Sequence, residues 1–123
     1  MQFVSVRVIT HDVARLTGFY EKATGIDARW RAERFAEIAG PSCTLAIGSA
    51  ETMTLFGEAA AVPESNRTAI LEFRVEDVDK EYERLADLAE IVQKPTTMPW
   101  GNRSLLFRDP DGNLVNYFTP SAP

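Results

Sequence analysis

The chain has 123 residues, with 13 Lys and Arg against 18 Asp and Glu, for a formal net charge of −5. That length suffices for one domain with its own core, and the acidity excludes a general nucleic-acid binder, which presents a basic face. A single cysteine, Cys43, excludes an internal disulfide; with no basic-then-apolar leader and no membrane-length apolar run, a cytoplasmic chain without a membrane partner is expected.

The first segment, "FVSVRVIT" (3–10), alternates β-branched residues and reads as a strand. Val4, Val6 and Val8 share one face; Phe3, Ser5, Arg7 and Ile9 share the other. Asp12 then reads as the N-cap of a helix over "VARLTGFYEKAT". Val13, Leu16, Phe19, Tyr20 and Ala23 recur there at helical spacing, and Gly25 is a natural stop. Residues 27–56 read as three short strands with turns at "AGPS" and "GSAE", so "ETMTLF" falls on or near the third. Cys43, between "GPS" and "TLAI", reads as a buried strand thiol rather than a nucleophile, since His11 is the chain's sole histidine.

Residues 57–68 lack periodicity and contain Pro63, Ser65 and Asn66, as a linker would. A strand in "AILEFRV" follows, then a helix after Asp77 with Val78, Tyr82, Leu85 and Leu88 inward. Pro95, Pro99 and Gly101 mark an irregular loop that carries Trp100. A hairpin over 103–119 closes the chain around "RDPDGN", where Asp109 accepts from the turn backbone and Gly112 takes the left-handed position.

An offset of 65 residues lays the two halves over each other, with Asp12-Val13 on Asp77-Val78 and Ile26 on Ile91. Each half reads as strand, capped helix, then three short strands. Such a unit cannot cover both faces of its own sheet. The expected fold is therefore α+β: two βαβββ modules in tandem, forming a curved mixed sheet around a cleft with the helices outside. One domain spans 1–123, with module 1 at about 1–57, a linker at 58–67 and module 2 at about 68–119.

With "HDVARLTGFYEKATG", "VEDVDKEYERL" and "FRDPDGNLVNYF" in this order, the chain resembles the vicinal oxygen chelate superfamily of glyoxalase I, extradiol dioxygenases and bleomycin resistance proteins. The resemblance implies a cleft in which metalloenzymes of the family hold one divalent metal with His and Glu. One ligand comes from each of the first, fourth, fifth and eighth strands. Carried over by spacing, these positions fall at Ser5, Thr54, Ile70 and Asn116. Ile70 cannot ligate, and neutral Ser, Thr and Asn are feeble donors for a first-row divalent metal. No metal and no other cofactor is expected. A rescue by Glu51, Glu58 or Glu72 requires a different register, and only Glu72 lies on the expected cleft face.

Alternation places Arg7, Glu72 and Arg74 on that face, together with Thr54, Phe56, Asn116 and Phe118. This mixture of apolar, aromatic and a few polar groups suits a small-molecule pocket. The three charged residues read either as an ion network holding the sheet or as part of a binding site. Trp100 reads either as a stacking residue, like the tryptophan that the bleomycin-resistance resemblance implies, or as a plug at the sheet end. Trp30 reads as a rim, dimer or core residue, and Arg103 as pointing to the cleft or to solvent. The expectation is a metal-independent small-molecule binding protein of the sequestering or resistance type, working as a homodimer on an aromatic ligand. The alternative is a lyase, isomerase or dioxygenase of the same superfamily with a non-standard site.

Overall fold

A computed structural model describes residues 1–57 and 60–121 of the chain. It divides into two compact units, Met1–Ser65 and Asn66–Pro123. The division falls inside the 58–67 stretch read as a linker; Glu58 lies outside the described residues.

The first unit runs β1 (Ser5–Thr10), α1 (Val13–Thr24), β2 (Arg29–Ala32), β3 (Phe35–Ala39) and β4 (Thr44–Ser49), then a 3-10 helix over Ala50–Leu55. Its four strands form one mixed sheet in the order β1-β4-β3-β2, with β1 and β4 parallel and the other pairs antiparallel. Helix α1 starts where its cap predicts: Asp12 accepts from the Arg15 amide at 3.0 Å. It ends at Gly25, whose φ of +73° places it in the left-handed region. Leu16, Phe19, Tyr20 and Ala23 bury one face of α1 against β3 and β4, where Ala36, Ile38, Leu45 and Ile47 are buried.

The second unit repeats the plan with β5 (Ile70–Arg74), α2 (Val78–Leu85), β6 (Glu90–Thr97), β7 (Arg103–Arg108) and β8 (Leu114–Thr119). Its sheet has the order β5-β8-β7-β6 and the same mixture of one parallel and two antiparallel pairs. Two βαβββ modules in tandem are thus present, each with a four-stranded open sheet. Asp77 caps α2 through Asp79 and Lys80 amides. Val78 and Leu85 are buried beneath it, while Tyr82 and Leu88 are half-buried. The core is completed by strand aromatics: Tyr117 meets Phe107 edge-on at 4.9 Å and Phe73 at 5.4 Å. Burial among these rings pushes the Tyr117 hydroxyl above the usual tyrosine range.

The "RDPDGN" turn is a buried hydrogen-bonded clasp. One Asp109 carboxylate oxygen accepts from the Asp111 and Asn113 amides, each at 2.9 Å. The other accepts from Asn113 Nδ2 at 2.8 Å. Asn113 in turn accepts from Asn66, whose own carboxamide oxygen accepts from the Ala69 amide just before β5. Gly112 adopts φ +83°, a left-handed conformation that glycine reaches without the strain an L side chain would bring.

Four local expectations are corrected. Residues 27–38 do not form one strand, because Glu33 and Arg34 make a two-residue turn between β2 and β3. "AETMTL" is a 3-10 helix rather than a strand. Its threonines bond back to the chain, Thr52 Oγ1 to the Ser49 carbonyl at 2.6 Å and Thr54 Oγ1 to the Glu51 carbonyl at 2.9 Å. Such local bonds compete with strand pairing despite the β-branched residues. Cys43 is exposed, because it sits in the β3–β4 turn, where its carbonyl accepts from the Gly40 amide. Pro95, read as part of a loop, lies inside β6, an edge strand, at a register shift where a missing donor is tolerated.

Candidate functional site

Strand register assigns each side chain to a face. In the first unit Arg7, Ala46 and Glu37 form one row across β1, β4 and β3, on the face opposite the helix-covered Ile38 and Ile47. Arg7 is exposed, and its guanidinium lies over the Phe35 ring at 4.6 Å and near the Phe56 ring at 5.8 Å. Cation–π contacts of this kind attract the guanidinium to the rings without consuming its N–H donors. Phe56 reaches Arg7 from the end of the 3-10 helix, not from a strand.

Phe35 was not singled out from the sequence. Its signal was the alternation in "FAEIA", which sets Phe35, Glu37 and Ala39 on one face once the strand is bounded at Phe35. Glu37 is engaged by Arg31, and Glu51 by Arg34.

In the second unit the corresponding face carries Ile70, Glu72 and Arg74 on β5, beside Leu114, Asn116 and Phe118 on β8. Asn116 donates from Nδ2 to Glu72 at 2.9 Å. Its Oδ1 is buried and accepts no hydrogen bond among the described residues. A buried acceptor of this kind calls for a donor from water or ligand. Arg74 stands in register with the half-buried Phe118 and has no ion-pair partner among the described residues of its unit. Arg103 points away from this face: it meets Asp79 of α2 through Nε and Nη2, both at 2.9 Å. The hydrogen bonds from Arg103 hold the Asp79 carboxyl below its ordinary range.

Trp100 sits at the tip of the β6–β7 connection, 70% exposed, in a turn closed by Gly101 N–H donating to the Met98 carbonyl at 2.8 Å. Trp30 lies on β2 in register with Ala36, at the sheet edge and half exposed. His11 is exposed beside the start of α1.

Thr54, expected on the fourth strand, is not on it. It lines a separate open cavity of about 510 Å³ within the first unit, together with Ala50, Met53, Gly57, Ala61, Val62 and Pro63. That lining carries no charged side chain. The two sheets supply the position that Thr54 was expected to fill. Thr44 opposes Ser5 as Leu114 opposes Ile70, so Ala46 is the first-unit counterpart of Asn116.

The profile of the Glyoxalase/Bleomycin resistance protein/Dioxygenase superfamily matches residues 2–117. The chain belongs to this superfamily. It is 30% identical to "Uncharacterized protein YraH" of Bacillus subtilis (strain 168), over 96% of this chain and 98% of that protein. It is also similar to a glyoxalase/bleomycin resistance protein/dioxygenase from Nocardioides, at 28% identity and TM-score 0.80, over 98% of this chain and 84% of that one. A family enzyme from Burkholderia phytofirmans PsJN shares the fold at TM-score 0.82 and 20% identity, over 94% of this chain and 95% of that one.

The residues present do not fit the family's metal. Ser5, Ala46, Ile70 and Asn116 occupy the strand positions in question, and none offers imidazole, carboxylate or thiolate. Among the described residues, no three His, Cys, Asp or Glu side chains converge in a way that could hold a metal ion. No described helix is long and apolar enough to cross a membrane.

Proposed function

We propose that this superfamily member is a metal-independent small-molecule binding protein that sequesters its ligand. The observation that carries the reading is the substitution of the donor set: Ser5, Ala46, Ile70 and Asn116 stand on the family's scaffold where the metalloenzymes need strong ligands. What the helix-free faces offer instead suits recognition. The first has a guanidinium beside two aromatic rings, and the second has a carboxylate–carboxamide pair with a buried acceptor to spare.

An aromatic ligand, an exposed Trp100 stacking on it, a cytoplasmic setting and a homodimeric state belong to the same proposal. Exposed Phe3, Val4 and Leu55 supply apolar surface for a partner copy. A thermal-shift screen of diverse aromatic compounds tests the reading. At least one class should raise the melting temperature equally with and without EDTA. Stabilisation that EDTA abolishes would contradict metal independence. Stabilisation unchanged by Trp100→Ala would remove the stacking role alone, and sedimentation showing only monomer would remove the dimer.

A further inference from the structure

We infer that the helix-free face of the first unit takes a carboxylate-bearing ligand with an apolar body, clamped by the free edge of the Arg7 guanidinium. The inference rests on the small-molecule reading above and adds the sign and position of the ligand's charge.

Three observations carry it. The Arg7 guanidinium lies over the Phe35 ring, its central carbon 4.6 Å from the ring centroid, with the Phe56 centroid at 5.8 Å, contacts that favour this position of the cation. Two carboxylates on or beside this sheet are already engaged. Glu37, in the same row two strands and about 10 Å away by strand spacing, is engaged by Arg31, and Glu51 at the sheet end is engaged by Arg34. Arg7 makes no ion pair among the described residues of its unit, and remains exposed to solvent and to ligand. A planar fork of donors next to aromatic rings matches a planar oxyanion bidentately, with the ligand's apolar portion against Phe35 and Phe56. One row along β1, Ser5 and Thr44 add hydroxyls to the same face.

Titration calorimetry with three isosteric probes tests the inference: 1-naphthoate, 1-naphthamide and 1-naphthylmethylammonium, each at low ionic strength. The wild-type chain should bind the naphthoate about tenfold or more tighter than the ammonium, as expected for charge-assisted hydrogen bonds. Arg7→Gln should erase that preference, weakening the naphthoate about tenfold or more and the neutral amide by a smaller factor. Arg7→Lys should keep the sign of the preference but lose part of its size, because an ammonium cannot grip bidentately. It also serves as the control if Arg7→Gln fails to fold. Equal or tighter binding of the ammonium, or a naphthoate preference untouched by either variant, overturns the inference and leaves the small-molecule reading intact. Failure of all three probes to bind overturns both for aromatic ligands of this size.

Discussion

Helix α1 buries Val13, Leu16, Thr17, Phe19, Tyr20 and Ala23, whereas the shorter α2 buries only Val78 and Leu85. The two units share one topology yet hold it together differently. The first leans on a long amphipathic helix, and the second on strand aromatics and the Asp109 clasp. Their helix-free faces diverge further. Equivalent β1 and β5 positions hold Arg7, stacked on aromatics, and Glu72, hydrogen-bonded to Asn116. A repeated scaffold constrains the faces packed on helices and leaves the opposite faces free to differ.

The comparison is sharpened by substitutions, the largest first. Phe107→Ala should lower the unfolding free energy by about 3–5 kcal/mol in chemical denaturation, because its ring fills the second unit's aromatic core. A loss under about 1 kcal/mol would show that strand aromatics do not carry that unit. Asp109→Ala should cost about 2–3 kcal/mol, since a buried carboxylate with three donors disappears and leaves those donors unpaired. Asp12→Ala, the cap of α1, should cost about 1 kcal/mol by the same measurement. Gly112→Ala should cost a similar amount, about 1 kcal/mol, by forcing a Cβ into the left-handed region.

The smallest effect concerns Asp79. Its carboxyl is held low in the folded chain, so the Arg103 contact stabilises fully above the unfolded carboxyl's range and is lost as pH falls through the lower folded value. Asp79→Asn should therefore flatten a small part of the acid-side decline below about pH 4, read from melting temperature against pH. Both partners are exposed, so added salt should shrink the difference between variant and wild type.

Much of the scaffold was legible because it rests on strong local signals. Asp12, Gly25 and Asp77 declared the helix ends, and the alternation in "SVRVIT" and "ILEFR" declared β1 and β5. The site was harder to read because faces depend on strand bounds. Thr52 and Thr54 look like strand residues until their hydroxyls bond back to the chain in a 3-10 turn. That shift moved Thr54 away from the sheet and put Ala46 in its place. Phe35 was hidden by the short turn at Glu33 and Arg34, which a propensity reading spans as one strand. The direction of Arg103 became fixed only when β7 register and the position of α2 brought it to Asp79.

Metal content of the purified chain tests the central claim most directly. Elemental analysis after purification without chelators should find zinc, nickel, iron and manganese each well below one equivalent per chain, with the melting temperature unmoved by adding any of them. One tightly retained equivalent of any of these metals, with a melting temperature that falls on its removal, would contradict the account.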